Sequence, residues 1–122
     1  MPKNTELSNM SIKSTDNTEH YIWGDNCDGW HLLKSESLSI IQEIMPAHTS
    51  EGLHFHSNAQ QFFFILKGTA TFEIEGELFV VSENKGFHIL PLQKHRIFNH
   101  TDMVLEFLVI SEPKSHGDRI NL

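Results

Sequence analysis

Short runs with a period of two residues dominate this sequence and constrain its fold more than any other feature. Residues 38–45, 70–75 and 104–110 each show this period. It is typical of β-strands, because successive side chains of a strand point to opposite faces. No segment carries a convincing helical stripe, and no long repeat is visible. Turn-forming residues separate the runs at short intervals, namely Pro46, Gly52, Gly68, Gly76, Gly86, Pro91 and Pro113. We therefore predict an all-β sandwich or barrel.

Residues 62–66 (FFFIL) break the alternation with five apolar side chains in a row. A strand of this kind has both faces covered. One face is expected to point into the barrel, and the other to meet a second layer. We take another subunit as the candidate for that layer and expect a homodimer.

The length of 122 residues suits a single domain. Residues 1–18 are rich in Ser, Thr, Asn and Lys, and we read them as a polar N-terminal segment outside the domain. This segment is either a mobile tail or an arm that adds a strand to a partner subunit. The domain itself is assigned to residues 19–122.

The charge balance excludes several classes of partner. Sixteen acidic residues against nine basic ones give a net charge of −7. This balance argues against nucleic acid and against an anionic membrane surface, since both require clustered Lys and Arg. No stretch approaches the ~20 apolar residues of a membrane-spanning helix. Cys27 is the single cysteine and cannot form an internal disulfide, which favours a cytoplasmic setting.

His54 and His56 are the most informative residues for function. On a strand, residues two apart share one face at a backbone distance of roughly 6.5–7 Å. Two imidazoles so placed can converge on one metal ion, whereas on a helix they would diverge. His95 is a candidate for a further ligand, and Gln61 offers an amide oxygen.

Two segments resemble the two motifs of the cupin superfamily, G-x(5)-H-x-H-x(3,4)-E-x(6)-G and G-x(5)-P-x-G-x(2)-H-x(3)-N. The first segment supplies His54, His56 and Gly68 at matching intervals. The second segment supplies His95 and, after three residues, Asn99. The resemblance covers about residues 34–112. Residues 111–119 also resemble the tail of small, single-domain bacterial cupins, many of which are labelled mannose-6-phosphate isomerase-like. The sequence departs from the motifs at three positions. His48 occupies the position of the first glycine, Gln61 occupies the position of the acidic ligand, and Pro-x-Gly is replaced by Pro-Leu-Gln at residues 91–93.

The resemblance implies a jelly-roll β-barrel that binds a divalent metal ion through His54, His56, Gln61 and His95, and it implies a homodimer. With a neutral Gln61 in place of a carboxylate, the metal site keeps a charge near +2, and the metal ion should be a stronger Lewis acid. Because an amide is a weaker ligand than a carboxylate, the site should also bind the metal ion more loosely. Gln60 would be the ligand if the register slipped by one residue. The ligand set does not choose among Fe, Zn, Ni and Mn.

The predicted strand faces also indicate a substrate pocket. Phe63 and Ile65 share the face of Gln61, and Ile97 shares the face of His95. His48 is added as a pocket residue, and His48 or His88 as a general base. We expect an enzyme that acts on a small molecule, either a dioxygenase or a sugar-isomerase-like enzyme. The alternative is a binding module for a small ligand without turnover.

Overall fold

The computed structural model describes residues 11–122, and nearly all regular structure in this range is β-strand. Within it, twelve strands follow one another: β1 Glu19–Trp23, β2 Cys27–Lys34, β3 Ser39–Met45, β4 Thr49–Ser50, β5 His54–His56, β6 Gln60–Lys67, β7 Ala70–Ile74, β8 Glu77–Val81, β9 Gly86–Ile89, β10 His95–Asn99, β11 Leu105–Glu112 and β12 Arg119–Asn121. In the same range no helix has the length and apolar character needed to cross a membrane.

The strands form two antiparallel sheets that enclose the core. The first sheet has the order β1-β2-β3-β11-β6-β9, and the second has the order β12-β5-β10-β7-β8, with β4 also paired to β10. The all-β prediction is confirmed. Neighbours in each sheet are often distant in sequence, so residues from both halves of the chain meet between the sheets.

The alternation predicted near the end of the chain is present in β11. Its inward side chains Leu105, Phe107 and Val109 are at most 4% exposed. The Phe63 ring lies between the two sheets, with its centroid 5.7 Å from that of Phe107 and 5.1 Å from that of Phe72. This aromatic contact joins the sheets.

The apolar run at residues 62–66 lies within β6 and has two unlike faces. Phe63 and Ile65 point inward and are 4% and 0% exposed. Phe62 and Leu66 point outward and are 39% and 38% exposed. The single chain thus covers the inner face, and covering of the outer face by another subunit stays a prediction.

Two residues of the sequence motifs have structural tasks. Gly68 adopts φ +85°, and a Cβ added there would lie 2.7 Å from the Val104 carbonyl oxygen, so the turn after β6 requires glycine. Asn99 is fully buried, and its amide donates to the carbonyl oxygens of Met45 and Met103 at 3.1 and 2.7 Å. Asn99 therefore ties the end of β10 to its neighbouring loops.

The predicted N-terminal segment, residues 1–18, lies in part outside the described residues. Within the described part, the Asn17 amide donates to the Ile12 carbonyl oxygen at 2.8 Å, and Thr18 Oγ1 donates to Ser14 O at 2.7 Å. The first strand begins at Glu19. The assignment as a tail or an arm stays a prediction.

Candidate metal centre and cavity

Three of the four predicted metal ligands lie together inside the barrel. His54 and His56 point inward from β5, and His95 is the register partner of His54 on the adjacent β10. All three side chains are at most 5% exposed. One ring nitrogen from each lies within 4.8 Å of the others. The strand spacing predicted for His54 and His56 is therefore present, and the sheet pairing adds His95.

Backbone carbonyls fix the orientation of two of these rings. Nδ1 of His54 lies 2.8 Å from the Gly52 carbonyl oxygen, and Nδ1 of His95 lies 2.8 Å from that of Gln93. Since a carbonyl only accepts, each Nδ1 carries the proton and each Nε2 is free to bind a metal. The buried Nε2 of His95 and Nδ1 of His56 have no hydrogen-bond partner. These free nitrogen atoms fit a metal ion.

Burial keeps the three imidazoles neutral. Burial lowers the pKa of His54 to about 3 and that of His56 to about 4. Repulsion from protonated His95 is the second largest cause of both shifts. Burial also lowers the pKa of His95. A neutral imidazole is the form that binds metal, so the site is ready for an ion at neutral pH.

Gln61 lines the same cavity as His54 and His56, whereas Gln60 does not. Gln61 is 6% exposed, its Nε2 donates to Ser111 Oγ at 3.1 Å, and its buried Oε1 has no partner. Gln60 lies on the outer face of β6, where Oε1 accepts from His88 at 2.8 Å and Nε2 donates to Glu112 at 2.7 Å. The free amide oxygen therefore belongs to Gln61.

A cavity of about 350 Å³ opens next to the histidines. Its walls combine aromatic, acidic, basic and imidazole groups: Tyr21, Trp23, Ile41, Glu43, Glu51, His54, His56, Gln61, Phe63, Val109, Ser115, His116, Gly117 and Arg119. The volume lies at the small end of typical ligand sites, which span roughly 300–1,000 Å³.

Of the four predicted pocket residues, Phe63 lines this cavity, and the other three lie elsewhere. Ile65 and Ile97 point inward as predicted, but they lie deeper in the core and are 0% and 1% exposed. Alternation identifies the face of a strand and not the depth along it. His48 lies on the surface, in a turn with φ +58°, and its Nε2 is 2.6 Å from Asp102.

His88, the other candidate base, also lies outside the cavity. It is exposed on the outer face of β9 and bonded to Gln60. In the described residues, the carboxylic acids that line the cavity are instead Glu43 and Glu51.

Sequence reasoning missed these two acids. Burial raises the pKa of Glu43 to about 8 and that of Glu51 to about 7. Glu51 Oε2 lies 3.6 Å from Nη1 of Arg119, and the Tyr21 hydroxyl donates to Glu43 Oε2 at 2.8 Å. The sequence did hold a signal for Glu43, because this acidic residue occupies an inward position of a strand between two apolar inward residues. Glu51 and Arg119 carried no such signal, because they lie 68 positions apart in the chain and only the fold brings them together.

Comparison with known proteins identifies a family and a relative with similar sequence. The family model described as "Cupin domain" matches residues 40–111. An uncharacterized protein of Methanocaldococcus jannaschii is 28% identical over 89 residues, which are 72% of this chain and 71% of that protein.

Two solved structures are also similar. An RmlC-like cupin from Shewanella frigidimarina has a TM-score of 0.77 at 15% identity and covers 87% of this chain and 93% of its own. A sugar phosphate isomerase of the cupin superfamily from Silicibacter pomeroyi has a TM-score of 0.71 at 16% identity, covering 84% and 76%. At such identities these likenesses show the fold, a jelly roll.

Proposed function

Because the chain belongs to the cupin domain family, we propose that it is an enzyme that acts on a small molecule through a divalent metal ion held by His54, His56, Gln61 and His95. The observation that carries this proposal is that buried side-chain atoms of His56, Gln61 and His95 have no hydrogen-bond partner, while His56 and Gln61 also line the cavity. Native proteins leave few buried polar atoms without a partner, so such a group calls for an explanation. A metal ion supplies the missing partner.

The donor set suits a borderline metal with open positions, and Fe, Zn, Ni and Mn all accept imidazole. When bound, such an ion polarises carbonyl oxygens and lowers the pKa of a coordinated water molecule. None of the four ligands carries a negative charge, so the ion would keep its full charge of +2. Ser111 supports the set, because its hydroxyl accepts from the Gln61 amide and leaves Oε1 free.

The cavity walls favour a small polar substrate. Tyr21 and Trp23 offer aromatic faces, while Glu43, Glu51 and Arg119 offer hydrogen-bonding groups. A small volume with converging polar groups is typical of a site for one small molecule. The two reaction types that suit such a centre are oxygen insertion on iron and isomerisation on a metal that polarises a carbonyl.

Metal content tests the proposal directly. Protein purified without chelator is loaded with Fe²⁺, Zn²⁺, Ni²⁺ or Mn²⁺, dialysed and measured by elemental analysis. We expect close to one ion per chain in the wild type, a loss in His54→Ala and His95→Ala, and tighter binding in Gln61→Glu, which adds a charge. His48→Ala is the matched control, since this histidine lies on the surface. Equal metal in His95→Ala and the wild type would refute the site.

We also propose that the outer face of the first sheet forms a homodimer interface. Ile40, Ile110 and Phe62 are register partners in one row across three strands, and Leu108 and Phe64 are partners in the next row. A continuous apolar face of this kind marks an interaction surface. A second copy presents the same face, as two-fold symmetry requires. Light scattering should give about twice the 14.0 kDa chain mass, and Phe62→Glu should return the mass to that of one chain.

Cys27 supports a cytoplasmic location as a proposal. Its thiol is free and fully buried at the start of β2. A chain with a single unpaired cysteine is typical of proteins in a reducing compartment. Fractionation of cells that express the protein checks this location.

A further inference from the structure

A second group of polar side chains lines the same cavity and takes no part in the ligand set. Tyr21 comes from β1 and Glu43 from β3, and the Tyr21 hydroxyl donates to Glu43 Oε2 at 2.8 Å. Glu43 occupies an inward position of β3, between the buried side chains of Ile41 and Met45. A carboxyl group at an apolar position is costly to charge, and fold stability alone does not explain it.

The contact between Tyr21 and Glu43 is built across an intervening strand. Gly29 on β2 is the register partner of Tyr21 on one side and of Glu43 on the other. A Cβ added to Gly29 would lie 2.4 Å from Cζ of the Tyr21 ring. The absence of a side chain at residue 29 therefore lets the ring lie across β2 and bring its hydroxyl to the carboxyl group. We call these three residues the Tyr21–Gly29–Glu43 row.

We infer that Glu43, positioned by Tyr21 and Gly29, is the proton-transfer group of this cavity and acts on a small hydroxy-aldehyde or hydroxy-ketone. The inference rests on the proposed metal-dependent function and deepens it by naming the substrate class and the base. Hydroxycarbonyl compounds fit because the carbon next to their carbonyl group bears an acidified C–H. Their hydroxyl groups match the hydrogen-bonding walls of the cavity.

The surroundings of Glu43 suit proton transfer near neutral pH. The charged and titratable groups that face it are Tyr21 from β1, Cys27 from β2, Glu51 from the loop before β5, and Arg119 from β12. Burial and the nearby Glu51 raise the pKa of Glu43, to about 8, while Tyr21 and Arg119 oppose that rise. A group with such a pKa can both accept and return a proton under the same conditions.

The proposed step balances without an oxidant. The Glu43 carboxylate removes the proton from the hydroxyl-bearing carbon beside the carbonyl group. The C–H electron pair forms the C=C bond of an enediolate, and the negative charge moves to the former carbonyl oxygen. Glu43 returns the proton to the other carbon, and the remaining hydroxyl proton moves to the former carbonyl oxygen. The product is the isomer in which carbonyl and hydroxyl groups have exchanged places.

Deuterium exchange in D₂O tests this step. Metal-loaded protein is incubated with D-glyceraldehyde or with dihydroxyacetone, and loss of the C–H signals is followed by proton NMR. We expect exchange in the wild type and a loss of at least about 100-fold in Glu43→Gln. Glu106→Gln is the matched control, because it removes a carboxylate from the outer face of β11. Metal content and circular dichroism are measured on every variant.

A second readout concerns the row itself and needs no turnover. The pKa of Glu43 is measured by carbon-13 NMR of the carboxyl group in the wild type, Tyr21→Phe and Gly29→Ala. The Tyr21 hydroxyl lowers this pKa by hydrogen bonding to the carboxylate. Tyr21→Phe removes this hydroxyl, and Gly29→Ala displaces the ring that carries it. Both variants should therefore raise the pKa of Glu43 and shift the rise of the exchange rate with pH to higher pH. An unchanged pKa in both would overturn the positioning role.

The possible failures are distinguishable. Protein that holds metal but exchanges neither compound, or in which Glu43→Gln exchanges at the wild-type rate, overturns this inference and leaves the metal site intact. Protein that binds no metal overturns the proposed function. In that case the carboxyl titration alone decides whether the row tunes Glu43.

Discussion

The two ends of the barrel interior are built from the same strands and differ in almost every other respect. At one end β11 contributes Phe107 and β6 contributes Ile65, both fully buried. At the other end the same strands contribute Ser111 and Gln61, which are hydrogen-bonded to each other. All four positions face inward. Depth along the strand, and not the face, separates a packed core from a cavity.

The cavity end contains buried polar atoms without hydrogen-bond partners, whereas the apolar side chains of the other end need no such partners. Among the described residues, the buried side-chain atoms without a partner belong to His31, Ser39, His56, Gln61 and His95. Unsatisfied polar atoms cost roughly 1–3 kcal/mol each. The apolar end therefore provides stability that offsets the cost of the unpartnered polar atoms.

The largest expected effect comes from two phenylalanines in contact with each other. Phe107→Ala should cost about 3–5 kcal/mol of unfolding free energy, since it opens an empty space in a closed core. Phe63→Ala should cost about half of that, because Phe63 already borders the cavity and water can enter. Urea unfolding measures both. Equal costs would contradict the distinction between the two ends.

The cavity end should also respond to pH through Glu43. Its pKa in the native state lies above the value of 4.5 for an exposed carboxyl group. The unfolded chain therefore loses this proton first, and stability falls as pH rises from about 4.5 to about 8. Glu43→Gln removes this loss and should be more stable than the wild type by about 1–2 kcal/mol near pH 8.5, after allowance for cavity water. Near pH 5 the difference should vanish.

Thermal unfolding across this pH range gives the measurement, with Glu106→Gln as the control. The histidines act in the opposite direction. Their lowered pKa values mean that the unfolded chain binds protons that His54 and His56 do not. Stability should therefore fall as pH drops from about 6.5 toward 4. A wild-type profile without the alkaline decline would contradict the burial of Glu43.

The smallest expected changes in stability come from two buried serines that are register partners, Ser111 and Ser39. Ser111→Ala removes the acceptor of the Gln61 amide and should cost about 1 kcal/mol and about tenfold in metal affinity. Ser39→Ala removes a buried hydroxyl that has no partner, so it should leave metal affinity unchanged and raise the free energy of unfolding by up to about 1 kcal/mol. Calorimetric metal titration and thermal unfolding check both. If Ser39→Ala weakened metal binding as much, the hydrogen bond to Gln61 would not be the cause.

Local pattern in the chain was sufficient for the β class and for one side of the site. The period of two residues placed His54 and His56 on one face, and it placed Gln61 and Phe63 inward, because side-chain direction in a strand depends only on parity. The same rule could not tell that Ile65 lies in the core, since parity carries no information on depth. It also gave no means of placing His48, which lies in a turn.

The assembly of the cavity was decided by tertiary structure. His95 meets His54 because β5 and β10 are neighbours in a sheet, and Arg119 meets Glu51 because β12 returns to pair with β5. Glu43 acquires its partner because Gly29, on the strand between, leaves room for the Tyr21 ring. These contacts join residues far apart in the chain, and no local spacing encodes them. The amino-acid pattern alone thus determined which side chains point inward, and strand pairing decided which of them meet.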